Sequence, residues 1–468
     1  MFEDHKRKEE RELVKKFEAA LRNKESHFFD EDSLLDIIGY YHERSKVKMA
    51  IKACDYALDR FPYSTDIIAE KAEILVKTGE VDEAISLLET ALSFSPNDVD
   101  LLMQKGSFYS FKADYRAAIE IFEYVSNFIE EKDEIYYNIG LSYQGLAEYQ
   151  NAIDYYKKAI EFNNANENAL YELAYCLEIE NQLEQSLSYY ERFIDQDPYS
   201  EFAWYNIGII YNKLERFDKA IESYEFAVAI DEEFSSAHFN MGNTYMNLEN
   251  YQKALNSYKK TMDIEGVSPE LYCHLGAAYE KLEQYDLSVK YYRKATKLDH
   301  LYHEAWFGIG ISLSLKERWY EAVHFLEKAT KLAPESVFYL KALAEAESKA
   351  GNVVSALECF ERASRLDPSD PEIWLEWSNI YHEQGDFDQA IELVDAGLNE
   401  LPRNGDLLYR MAIYHISARR YKEAFHYLEL ALIIDFEGHL QLYDFFPNLS
   451  TQKALFKVIE QYRKNSAS

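Results

Sequence analysis

Four aromatic side chains, Tyr137, Tyr171, Tyr205 and Phe239, stand 34 residues apart, and each is followed by a polar one: Asn138, Glu172, Asn206 and Asn240. Further amides, Asn212, Asn243 and Asn247, lie one or two helical turns on. A carboxamide donates to a carbonyl and accepts from an amide at the same time. A row of them can therefore hold the backbone of an extended guest chain without reading its side chains. The aromatics would add contact area at small entropic cost. The bland alternative, that these are ordinary solvated residues, is left open by the residue types alone.

Covalent or metal chemistry finds no such row. Gly308-Ile309-Gly310 has the look of a fragment of a nucleotide-binding loop, but no strand precedes it and it falls in the middle of a helical pattern. The 12 histidines form no pair at metal spacing beside a carboxylate base, and Cys54, Cys176, Cys273 and Cys359 are far apart, without the paired spacing of a metal or redox site. No catalytic residue, cofactor or metal is expected. Pairs of Asp and Glu read as solvated helix faces. Asn448-Leu449-Ser450 would be a glycosylation site only in a secreted chain.

The 34-residue spacing runs well beyond the candidate row, without insertion or deletion, through units that begin at 31, 65, 99, 133, 167, 201, 235, 269, 303, 337, 371 and 405. The unit Glu201 to Phe234 shows the design. Trp204, Ile207, Gly208 and Tyr211 recur at spacings of three and four, one face of a helix. After the polar break Leu214-Glu215-Arg216, Ala220, Tyr224 and Ala227 repeat the pattern. Neither helix covers its own apolar face, so the unit needs a copy of itself on each side.

Three places in the unit carry the strongest pattern. The twentieth holds only Ala or Ser, from Ala50 and Ala84 through Ser186, Ala220 and Ser288 to Ala424, which marks a close approach of two helices. The eighth is Gly, Ala or Ser in every unit but the first, where Ile38 stands; Gly106, Gly140, Gly208, Gly242, Gly276 and Gly310 are examples. Helical glycine loses about 1 kcal/mol against alanine, so tight packing must compensate. The thirty-second carries Pro62, Pro96, Pro198, Pro334, Pro368 and Pro402, which end the unit.

On these residues the chain resembles a tetratricopeptide repeat protein, with the match covering residues 31 to 438 in twelve units. The resemblance implies an all-α fold, a right-handed α-solenoid superhelix of antiparallel helix pairs. Its first helices would line a concave groove that holds a peptide or another protein. The second, fifth, sixth, ninth, twelfth and thirteenth places would face that groove, which is where Tyr137, Asn138, Tyr171, Tyr205, Asn206, Asn212, Phe239, Asn240, Asn243 and Asn247 fall. The row resembles the asparagine ladder of long family members. Adjacent first helices on the order of 10 Å apart and an extended chain advancing roughly 3.3 Å per residue would bring a rung to every third guest residue. The carboxylate clamp used by chaperone-tail binders is a poor match, since Asn243 and Asn379 follow Phe239 and Leu375 rather than a lysine, and Lys341 is followed by Glu345.

The flanks read differently. Residues 1 to 30 place Leu13, Val14, Phe17 and Leu21 at helical spacing in a charged stretch, a capping helix or a partner-binding one. Residues 439 to 468 offer Leu455, Phe456, Val458, Ile459 and Tyr462 as a closing helix, approached through the irregular Tyr443 to Pro447. A net charge of −33 argues against nucleic acid and against anionic membrane as ligands. Solubility is its first explanation and a basic partner its second. The opening MFEDHKRKEE lacks the apolar core of a signal peptide, and no run reaches the roughly 18 apolar residues of a membrane span. With unpaired cysteines, this points to the cytoplasm. The expected function is a non-enzymatic scaffold or adaptor for an extended, neutral to basic peptide. The alternative is a regulatory or targeting subunit of an enzyme complex whose catalysis lies on another chain. Oligomeric state is not legible.

Overall fold

A computed structural model describes residues 2–22, 28–446 and 453–466, and among them all regular structure is helical. Asn448, Leu449 and Ser450 lie outside the described residues. Each 34-residue unit forms two antiparallel helices, from Glu31–Glu43 with Val47–Leu58 to Gly405–Ser417 with Tyr421–Ile434. The chain divides into two compact units, Met1–Phe234 and Ser235–Ser468. In a solenoid each repeat touches only its neighbours, so a division can fall at a repeat boundary without any linker.

The helices start where a side chain satisfies their first amides. Asp30, Ser64, Asp98, Asn166, Ser200, Ser268, Ser336, Asp370 and Asn404, all at the thirty-fourth place, accept a bond from an amide two or three residues on. Each helix pair then turns through one left-handed residue at the fifteenth place. Only three of these are glycine, Gly79, Gly351 and Gly385; the rest include Ala147 at φ 58°, Glu215 at 57°, Glu249 at 56° and Arg419 at 61°. L-residues disfavour this region, so the packed helices on either side must impose it.

Inside the pair, the eighth and twentieth places do what their sizes predict. Ala84, Ala118, Ala152, Ala220 and Ala254 are fully buried. A methyl group added at Gly140 would lie 2.5 Å from the ring of Tyr156, and one at Gly276 would lie 2.9 Å from Tyr292. Tryptophan at the fourth place also serves the turn before it. The indole N–H of Trp204 donates to the Pro198 carbonyl at 3.1 Å, that of Trp306 to His300 at 2.9 Å and that of Trp374 to Pro368 at 3.0 Å. The ring thus fills the space between helices while its N–H satisfies the turn that ends the preceding unit.

In the first unit the helix Phe2–Leu21 lies on the first pair through Val14 and Phe17, both buried, with Phe17 edge-on to Tyr56 at 5.2 Å and to Phe29 at 6.1 Å. The Tyr41 hydroxyl donates to Glu18 at 3.1 Å, tying the two helices. In the second unit, Lys453–Ser466 buries Leu455 and Ile459 in the same core as Leu428 and Leu432. Leu21 and Phe456 differ from the sequence expectation. Both stay exposed.

Candidate functional site

Within the first unit the first helices of repeats four, five and six are Asp133–Gly145, Glu167–Ile179 and Glu201–Lys213. Polar bonds join them side by side. The Gln144 amide donates to Glu172 at 2.8 Å, and Lys213 pairs with Glu178. On the middle helix Tyr171, Tyr175 and Ile179 recur every four residues and are 53%, 46% and 38% exposed. That stripe occupies the fifth, ninth and thirteenth places. Large apolar side chains in line on one helical face and left open to solvent are what a binding surface requires and what a soluble stack otherwise avoids.

The structure treats the other candidates unequally. Tyr137 and Tyr205 are half-buried, their rings 6.0 and 5.9 Å from Tyr156 and Tyr224, and Tyr205 also packs on Phe234 at 4.8 Å. Burial, then the charge of Glu172, holds the Tyr137 hydroxyl above its ordinary value. Asn206 departs most from the ladder expectation: it is only 5% exposed, and its Nδ2 donates to the Phe202 carbonyl one turn back at 2.8 Å. A mid-helix asparagine readily closes on its own backbone, so this rung faces inward. Asn138 and Asn212 are half-buried.

In the second unit, Phe239 lies 5.8 Å from Tyr258 and edge-on to His274 at 4.9 Å. Burial pulls the His274 imidazole below its ordinary value, with the Glu270 carboxylate opposing. Asn243 accepts from the Tyr258 hydroxyl at 2.8 Å, which commits its carbonyl to the core. Asn240 is half-buried and Asn247 exposed. Gly308 and Gly310 lie inside the helix His303–Ser314 against Tyr292 and Leu326. Their role is close packing. Burial pushes the thiols of Cys54, Cys176 and Cys273 up to about 12 and that of Cys359 to about 11, far from a nucleophile's range. Among the described residues no helix is long and apolar enough to cross a membrane.

Family models described as tetratricopeptide repeat match residues 42–106, 134–166, 168–200, 202–234, 235–265, 269–300, 341–404 and 375–437, together well over half of the chain. The chain belongs to the tetratricopeptide repeat family. No curated protein sequence matches it. Among solved structures it is similar to MamA, at 22% identity over 36% of this chain and 91% of that one, with a TM-score of 0.33. The structure of the APC/C hetero-tetramer Cut9–Hcn1 aligns at 14% identity over 88% of this chain and 98% of that one, with a TM-score of 0.38. YrrB, described as a TPR protein with an unusual peptide-binding site, aligns at 21% over 42% and 97%, with a TM-score of 0.34.

One column of this tetratricopeptide chain was read in the sequence only at Tyr224. At the twenty-fourth place Tyr156, Tyr190 and Tyr224 in the first unit, and Tyr258 and Tyr292 in the second, are buried beneath the first helices. Burial is the main cause that raises every one of these phenols. Periodicity made them core. Their hydroxyls also need acceptors, and those come from the candidate face: Gln144 accepts from Tyr156 at 2.6 Å, and Asn243 from Tyr258. A polar residue at the ninth or twelfth place, twelve to fifteen residues before a buried tyrosine, was the available signal.

Proposed function

We propose that the protein is a non-enzymatic interaction scaffold that binds an extended, neutral to basic peptide segment along its first helices. The observation that carries this reading is the exposed Tyr171, Tyr175, Ile179 stripe on one helix of the first unit. Flanking amides and carboxylates, Asn138, Glu172, Glu178 and Asn212, supply donors and acceptors for a guest backbone. In the second unit Phe239, Asn240 and Asn247 offer a smaller stretch of the same chemistry, and the fixed pairing of Asn243 removes it from the rungs. The charge of −33 and the dispersed cysteines support a cytoplasmic location and a neutral to basic guest.

The test is an array of extended twelve-residue peptides built on Ser, Gly and Lys backgrounds with one varied position, probed with the full chain. Tyr171→Ser with Tyr175→Ser should lower binding at least tenfold while the helical circular dichroism stays unchanged, about 1.4 kcal/mol or more. Undiminished binding by the double variant would remove the stripe from the interface.

A further inference from the structure

Among the described residues of the first unit, one buried hydroxyl has no partner. Tyr190, 1% exposed, is the twenty-fourth-place tyrosine of the fifth repeat, and its Oη meets neither donor nor acceptor. Its neighbour on one side in the column shows what is missing. Tyr156 has Gln144, twelve residues before it, as acceptor at 2.6 Å. The corresponding residue below Tyr190 is Glu178, whose carboxylate is taken by Lys213, and the ninth-place residue is Tyr175, which brings no carbonyl. The packing differs too. In the fourth and sixth repeats the tyrosine ring lies against a glycine, Gly140 or Gly208, with no space for a methyl group. Here Ala174 carries that methyl. The second helix of the repeat also begins with a single 3-10 turn, Leu183–Ser186, before continuing as Leu187–Gln196.

An open cleft of about 100 Å³ lies on the candidate face, lined by Tyr171, Tyr175, Glu178, Tyr190, Asn206 and Lys213 with aliphatic neighbours. Its volume is below the roughly 150 Å³ that admits a benzene ring. A buried donor without an acceptor is costly and is normally answered by a partner.

We infer that this cleft is a specificity subsite for a carboxamide side chain, glutamine or asparagine, of the guest peptide. The inference rests on the groove reading above and deepens it. The amide oxygen accepts from the Tyr190 hydroxyl, the amide nitrogen faces the carboxylate of Glu178 at the rim, and the methylenes lie between the rings of Tyr171 and Tyr175. A carboxylate of the same shape has no N–H to give Glu178 and would compete with it for Lys213, and an isobutyl side chain would leave the hydroxyl unanswered.

The same peptide array decides it, with Gln, Asn, Glu, Leu and Phe at the varied position. The wild-type chain should bind the Gln or Asn peptide about tenfold more tightly than the Leu and Glu peptides, the worth of one well-made buried hydrogen bond. Tyr190→Phe should reduce that preference to less than about twofold while binding of the Leu peptide stays the same. Because the variant removes only an unpartnered hydroxyl, its thermal midpoint should match or exceed that of the wild type, and Tyr258→Phe, which breaks a made bond elsewhere, should leave the preference intact. A preference unchanged in Tyr190→Phe, or absent in a wild-type chain that binds the other peptides, overturns the subsite and leaves the groove standing. Failure of every peptide to bind overturns the groove reading and the subsite with it.

Discussion

At the scale of single residues, the contact that holds a repeat together is glycine against aromatic ring. Gly140→Ala places a methyl group 2.5 Å from Tyr156, whose hydroxyl is fixed on Gln144, so the ring cannot simply rotate away. The substitution should destabilise by about 1 to 3 kcal/mol through overpacking, although alanine is the better helix former by about 1 kcal/mol. Urea unfolding of the two proteins measures the difference, and a variant as stable as the wild type would show that the ring has room to move. This contact was half legible beforehand. The recurrence of Gly106, Gly140, Gly208 and Gly242 at one phase signalled close packing, but spacing does not say against what. Beyond Tyr224 the tyrosine column went unread as a column of phenols, because a buried Tyr and a buried Leu give the same periodicity, and only the phenol's need for an acceptor separates them. Asn206 is the converse case. Its place on the candidate face was readable, while its bond to Phe202 depends on a rotamer that no pattern encodes.

Elements differ in how far they are covered. The first helix of the twelfth repeat, Gly405–Ser417, is buried on nearly all sides, from Leu407 through Ile416, because the short turns around Leu442 close over it, while Lys453–Ser466 packs on its partner helix. It therefore carries a buried histidine. His415 stacks on Tyr427 at 5.5 Å, its Nδ1 has no partner, and burial pulls its imidazole below the ordinary 6.5, with Glu423 opposing and Arg420 reinforcing. The folded state thus binds this proton less readily than the unfolded chain does. Stability from this group is complete above pH 6.5 and is lost as pH falls from there towards the lower folded value. His274 and His382, also lowered by burial, act in the same direction. The thermal midpoint of the wild type should drop between about pH 7 and pH 5.5, and His415→Phe should flatten that drop. An equally steep drop in the variant would assign the effect to other groups. Existence and length of the helices were legible from the 3.6-residue pattern and from the prolines at the thirty-second place. The left-handed residue at the fifteenth was hidden, because Glu215, Glu249, Glu283 and Glu317 are poor markers for a conformation that usually announces itself with glycine.

For the molecule as a whole, charge is the dominant global quantity. A net charge of −33 on 468 residues repels itself in the folded state, and the exposed ion pairs between neighbouring repeats, such as Arg216 with Glu184 at 2.7 Å, are each worth little. Raising salt from about 0.01 M to about 0.15 M shortens the screening length from roughly 30 Å to 8 Å. The thermal midpoint should rise by roughly 2 to 5 °C as the repulsion is screened. A fall instead would mean that the short pairs outweigh the net field. The family was fully legible at this scale from an unbroken period. The division at Phe234 was not, since residues on either side of it keep the same register and no Pro, Gly or Ser tract marks the boundary.

The bend between paired helices has one more implication. Since Ala147, Glu215 and Arg419 hold the same backbone as Gly79, the corner is not written in its own letters. Excised as a short peptide, such a corner would lose its shape at once. It persists only while both arms are docked, so a hairpin that begins to fray should release its hinge in the same event, and each arm should lose its footing together with the other.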